Sequence, residues 1–142
     1  MKIEDEVRKA SNQFYSGLNK MANGQTNALA DAWSHSNSVT TLHPIGGRQV
    51  GWDAVKESFD QVAKLASTGK VELKDQLIYV IGDAAYEIGT EHANFKLAEH
   101  DIKAEIRVTN IYQRENGAWK IVHHHTDVSP AMVEVLSLLP TP

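Results

Sequence analysis

The chain has 142 residues, 42% of them hydrophobic and 23% charged, which suits one folded domain spanning residues 1–142. Without a single cysteine it can form no disulfide, thiolate metal site or cysteine nucleophile, and this fits a reducing, cytoplasmic setting. A net charge of −4 with no basic run argues against nucleic acid as a partner, and the acidic opening MKIEDEVRKA and lack of a long apolar run argue against a signal peptide or a bilayer span.

Ile3, Val7, Ala10, Phe14, Leu18 and Met21 recur at steps of three and four, which predicts an amphipathic helix over residues 3–21, stopped by Asn23 and Gly24. Thr26 is expected to cap a short second helix through Ala28, Leu29, Ala32 and Trp33. The β-branched run SVTTLH (38–43) predicts a strand, closed by Pro44 and a turn at Gly46-Gly47. A third helix is expected over about 52–66, with Val55, Phe59, Val62, Ala63 and Ala66 on one stripe and Gly69 beyond its end. The texture then changes to four strand-like segments at 70–81, 84–99, 102–114 and 118–128, the last two joined by the hairpin signal Asn116-Gly117. Ser129-Pro130 is placed to cap a final short helix through Met132, Val135 and Leu136.

Helices followed by an antiparallel meander are the pattern of a segregated α+β fold. Long strands that curl around a helix leave a cavity, because the helices cannot cover the whole concave face. Leu77, Tyr79 and Ile81 on one parity face Ile78 and Val80 on the other, and Ile106 and Val108 are set against Ile111. A sheet with one wet face should alternate cleanly, so both faces are expected to be covered, one by helices and one by a second copy. Trp119, just after the hairpin turn, is expected in the core.

The strings YQRENGAWKIVHHHTDVSP (112–130) and ALADAW…HPIGG…GWDAVKESF (28–59) carry a resemblance. The first resembles the close of the association domain of calcium/calmodulin-dependent protein kinase II. The second resembles the wider nuclear transport factor 2-like group, which includes SnoaL-like proteins and ketosteroid isomerases. The resemblance implies a cone-shaped, cystatin-like α+β fold with three N-terminal helices on a strongly bent antiparallel sheet, paired as a homodimer through the sheet's outer face. It leaves the chemistry open, because this fold serves enzymes and assembly modules alike.

By that resemblance His43, in the string HPIG, stands where ketosteroid isomerases place the aspartate base, and a histidine can do the same work near neutral pH. Phe14 best matches the tyrosine of the isomerases' oxyanion hole, with Tyr15 one residue away, and the position of the accompanying acid falls in the apolar stretch near Ile106. Arg107 and Thr109 match an Arg-x-Thr of SnoaL-like relatives, whereas the pocket arginine of the kinase domain falls at Asn110. Arg107 and Asn110 have opposite parity and cannot share the cavity unless a bulge intervenes. In the triple His123-His124-His125, strand alternation sets His123 and His125 on one face and His124 on the other. Two such histidines need a third metal ligand that the spacing does not select, so neither metal nor another cofactor is expected. The reading is a cavity that holds a small-molecule ligand, a small organic acid, against Tyr15, Arg107, Asn110, His123 and His125. An acid–base enzyme using His43 and a non-catalytic oligomerisation module are the alternatives.

Overall fold

Helix α1 (Ile3–Met21) starts with Glu4, Asp5 and Glu6 in its first turn and ends with Lys20 in its last, so its charges complement the helix dipole. Its buried stripe runs through Val7, Ser11, Phe14, Tyr15, Leu18 and Met21. The computed structural model describes residues 2–139. After α1 come β1 (Thr40–His43), β2 (Gly46–Val50), α2 (Trp52–Leu65), β3 (Ala66–Ile81), β4 (Ala84–Leu97), β5 (His100–Glu115), β6 (Ala118–Thr126) and α3 (Pro130–Ser137). The six strands form one sheet in the order β2-β1-β6-β5-β4-β3. Among the described residues no helix is long and apolar enough to cross a membrane.

The α+β architecture and the β3–β6 meander agree with expectation, and Ser129 caps α3 by accepting a hydrogen bond from the Met132 backbone. Three local expectations are corrected. Residues 26–33 form turns rather than a second N-terminal helix. Asn27 adopts φ 58° and its N–H donates to Asp60 Oδ1 at 2.7 Å, while Trp33 is drawn into a bridge with Ile121. Leu29 then closes over Gly17, where a Cβ would sit 2.6 Å from its side chain. Second, Gly46 and Gly47 do more than turn the chain, since they open β2, which folds back on β1. Third, the sheet is not wholly antiparallel, because β1 runs parallel to β6.

Two irregularities bend the sheet and reset which side chains face inward. In β3 the ladder shifts between Lys74 and Leu77, with Asp75 at φ 56°. This turns Gln76 inward, and β4 presents Gly89 there because a Cβ would meet Leu73 at 2.7 Å and the Lys74 carbonyl at 2.8 Å. In β6, His123 pairs with Ile111 and Ile121 with Tyr112, so Val122 is an extra residue without a partner. A bulge of this kind reverses the alternation beyond it. Trp119 and Ile121 point inward before it, and His124 points inward after it.

Trp119 is 6% exposed, with the Arg114 guanidinium 5.1 Å from its ring centre. Trp119→Ala is expected to cost about 3–5 kcal/mol in denaturant unfolding, the usual range for a buried large aromatic. A loss under about 1 kcal/mol would mean that the ring is not part of the core.

Candidate functional site

Between the helices and the inner face of the sheet lies a cavity of about 250 Å³. Leu18, Phe59, Val71, Phe95, Ile106 and Met132 give it an apolar wall, His43, Ser58, Glu91 and His124 are polar side chains on that wall, and the less buried Gln49 and Gln61 also line it. A mostly apolar concavity with few polar groups is the usual form of a small-molecule site.

His43 ends β1 and is buried. Its Nε2 lies 2.8 Å from Ser58 Oγ on α2, and its ring meets the Phe59 ring edge-on at 4.8 Å. Burial pushes its pKa down to about 4, so the imidazole is neutral at physiological pH. On β6 it is His124, not His123 or His125, that enters the cavity. His124 is buried against Phe14, its Nδ1 lies 2.6 Å from Asn110 Oδ1, and burial, reinforced by the neighbouring histidines, holds it neutral.

Glu91 projects from β4 directly opposite Ile106 of β5. The apolar position near Ile106, where the resemblance called for an acid, therefore has its carboxyl on the adjacent strand. Tyr15 donates to Glu91 Oε2 at 2.8 Å and accepts from Asn110 Nδ2 at 3.1 Å. Burial pushes the Glu91 carboxyl up to about 7, a rise that the Tyr15 hydrogen bond opposes and the nearby Glu87 carboxylate reinforces. Burial, with Glu91 adding to it, likewise raises Tyr15, so the phenol stays protonated. Phe14 and Tyr15, adjacent on α1, are both buried: the first packs on Trp33 and His124 while the second reaches Glu91.

The structure does not bring together the whole set of residues expected around the ligand. Tyr15 and Asn110 lie inside, in the layer of hydrogen bonds behind the cavity wall. Arg107 points to the outer face, its side chain 83% exposed, and its Nε donates to Asp127 Oδ2 at 2.7 Å. His125 lies on that outer face too, and His123 is half-buried with Nδ1 2.6 Å from Thr40 Oγ1. The bulge at Val122 is the reason, since it exchanges the parity on which the triple histidine was placed. No group of three His, Cys, Asp or Glu side chains suited to hold a metal occurs among the described residues.

Glu91, Ser58, His124, Gln49 and Gln61 line the cavity and were not selected by the sequence reading, nor was Glu87, which stands behind the wall. Glu87 and Glu91 had a legible signal, because they share a parity with Ala85, Ala93, Phe95 and Leu97, all buried along β4. Carboxyls on the apolar parity of a strand mark buried polar chemistry. Ser58 carried no such signal.

The family model of the SnoaL-like domain matches residues 7–132. Comparison with curated proteins finds no match. Among solved structures, a nuclear transport factor 2-like family protein of Streptomyces avermitilis, proposed to be a dehydratase, is 21% identical with a TM-score of 0.78, covering 91% of this chain and 97% of that one. A nuclear transport factor 2-like superfamily protein of Salmonella enterica serovar Typhimurium is 20% identical with a TM-score of 0.78, covering 89% and 90%. The calcium/calmodulin-dependent protein kinase II hub of S. rosetta is 20% identical with a TM-score of 0.71, covering 91% and 98%. At these identities the likeness shows the fold, which is the cystatin-like, nuclear transport factor 2-like one.

An acid whose folded pKa is raised adds relative stability at low pH and loses it as pH climbs from the unfolded value of about 4.5 through the folded value of about 7. Gln mimics the protonated acid at every pH. Glu91→Gln should therefore gain stability relative to the parent protein between pH 4.5 and pH 7.5, by roughly 3 kcal/mol at most. Paired urea melts at the two pH values measure this, and a difference that does not change with pH would show that Glu91 is not a buried acid of raised pKa.

Proposed function

The chain belongs to the SnoaL-like domain family, and from that premise we propose that its cavity binds a small, uncharged, largely apolar molecule and holds that molecule's polar end against His43, Glu91 and His124. The carrying observation is that these three buried side chains line a wall that is mostly apolar, with Ser58, Gln49 and Gln61 its other polar members. Among the described residues no Lys or Arg lines the cavity. Both histidines are held neutral by burial, and Glu91 brings a negative charge when it ionises. A small organic acid therefore loses the cationic wall expected for it, since Arg107 and His125 face the other way. A buried anion without a compensating partner is costly, so a neutral occupant fits better.

One observation favours a second reading, in which the cavity performs acid–base chemistry on its occupant. Glu91 changes ionisation near neutral pH, the condition in which a carboxyl can both give and take a proton. His43, with its pKa near 4, is a weaker base than its position alone suggested. Glu91 is thus the principal acid–base group and His43 a polar wall residue, an arrangement compatible with the elimination chemistry proposed for the Streptomyces neighbour.

The outer face supports pairing of two copies. Leu77, Tyr79 and Ile81 on β3 are 50%, 48% and 65% exposed, and the Tyr79 ring stacks on that of Tyr86 from β4 at 5.1 Å. Such a continuous apolar strip suits a self-complementary two-fold contact, and the kinase hub neighbour is a protein of assembly.

Thermal-shift titration at pH 7 with matched pairs of neutral and carboxylate forms of one apolar compound tests the ligand class. Stabilisation by the neutral members is expected, and a consistent preference for the carboxylates would overturn it. Light scattering should give twice the 15.7 kDa chain mass, and the double variant Tyr79→Glu, Ile81→Glu should return the monomer. A monomeric parent protein at micromolar concentration would remove the pairing.

A further inference from the structure

The polar end of the cavity has a hydrogen-bond direction, and it is set from a residue that never touches the cavity. Glu87 on β4 is fully buried. Its carboxylate receives Gln76 Nε2 at 2.6 Å, Asn110 Nδ2 at 2.9 Å and the Tyr112 hydroxyl at 2.8 Å. Gln76 cannot be turned round, because its Oε1 accepts from the Arg8 guanidinium, which only donates. Asn110 cannot be turned round either. An amide oxygen toward Glu87 would set two acceptors against each other, so the amide nitrogen faces Glu87 and the Oδ1 faces His124.

Two consequences reach the cavity. The second hydrogen of the Asn110 amide goes to the Tyr15 oxygen, which leaves the Tyr15 hydroxyl to donate to Glu91 Oε2 and leaves Glu91 Oε1 without a partner among the described residues. The Asn110 Oδ1, a pure acceptor 2.6 Å from His124 Nδ1, requires that this nitrogen carry the ring hydrogen. In the neutral imidazole the Nε2 at the ring tip then holds a lone pair, and it has no hydrogen-bond partner among the described residues. His43 is oriented independently to the same effect. Ser58 spends its hydroxyl hydrogen on the Val55 carbonyl at 2.6 Å, so it accepts from His43 Nε2–H and leaves His43 Nδ1 as a bare acceptor.

We infer that the cavity selects occupants by their hydrogen-bond donors: His43 Nδ1 and His124 Nε2, joined by Glu91 Oε1 when that carboxyl is ionised, form an acceptor set that fits the hydroxyl groups of an apolar alcohol or phenol and turns away the matching ether, aldehyde or ketone. This rests on the reading of the cavity as a site for a small neutral molecule and narrows it to one chemical class. A carbonyl or ether oxygen placed there would meet lone pairs, and desolvating it without a donor is costly.

Two measurements on the unaltered protein test the inference. Nitrogen-15 NMR of the histidine rings at pH 7.5 reads the tautomers without any ligand. His124 should carry its hydrogen on Nδ1 and His43 on Nε2, and the reverse assignment for His124 would overturn the inference while leaving the cavity reading intact. Calorimetric titration at the same pH compares 2-naphthol with 2-methoxynaphthalene and 2-naphthaldehyde, probes of one shape. The phenol should bind at least about tenfold more tightly than either, the scale of one well-formed hydrogen bond and an avoided clash of acceptors. Equal or tighter binding of the ether or the aldehyde would refute donor selection alone. Failure of all three to bind would take down the cavity reading, and the inference with it.

Discussion

A carboxylate sealed from water must find its hydrogen-bond donors within the protein or be expelled, and Glu87 is so sealed. Its donors come from β3, β5 and the row of residues that runs across the inner face of the sheet. Glu87 pairs with Asn110, and Asn110 pairs with His124, each directly opposite the next on neighbouring strands. Helix α1 closes the same network from above, because Ser11 meets Gln76, and Tyr15 lies between Asn110 and Glu91. One buried carboxylate therefore ties together the seating of α1, the register of four strands and the orientation of the polar groups at the cavity. Such a network is worth its desolvation only when nearly complete, and here each amide and hydroxyl in it has a partner.

The network depends in turn on backbone irregularities. The shift at Asp75 delivers Gln76 to Glu87 from a strand whose regular alternation would have sent it outward, and the unpaired Val122 delivers His124 to Asn110. Both bends lie where the sheet curls around the helices, and the curl is what leaves a cavity under α1, α2 and α3. Bending the sheet and orienting the site are thus one structural event. The same bends leave Arg107, Asp127 and His125 together on the outside, where an ion pair takes the place of a site.

The two faces of the sheet divide the chemistry between them. Inside, neutral histidines and a carboxyl poised near neutrality sit in an apolar wall, an environment suited to a neutral molecule and to the passing of a proton. Outside, an apolar strip runs along β3 and β4, the surface on which the proposed pairing rests. Strands that are apolar on both parities make two such faces possible.

Much of this architecture is readable in the amino-acid sequence alone. The periodicities of α1 and α2, the four long strands, the Asn116-Gly117 hairpin and the Ser129 cap follow from local steric and hydrogen-bonding preferences, and these act over a few residues. The resemblance carried by residues 28–59 and 112–130 placed the chain in its fold, and the position of His43 at the end of β1 came with it. The inward-facing set was beyond reach of local rules. Alternation is sound only up to the first bulge, and neither Asp75 nor Val122 announces one by residue type. Once parity reverses at Val122, His124 replaces His123 and His125 in the interior. The pairing of Tyr15 with Glu91, 76 positions away, and of His43 with Ser58 across from β1 to α2 arises only when helices and sheet are packed together. Local preferences decided which segments are helix and strand; the tertiary structure decided which of their polar groups lose water, and so which must find one another.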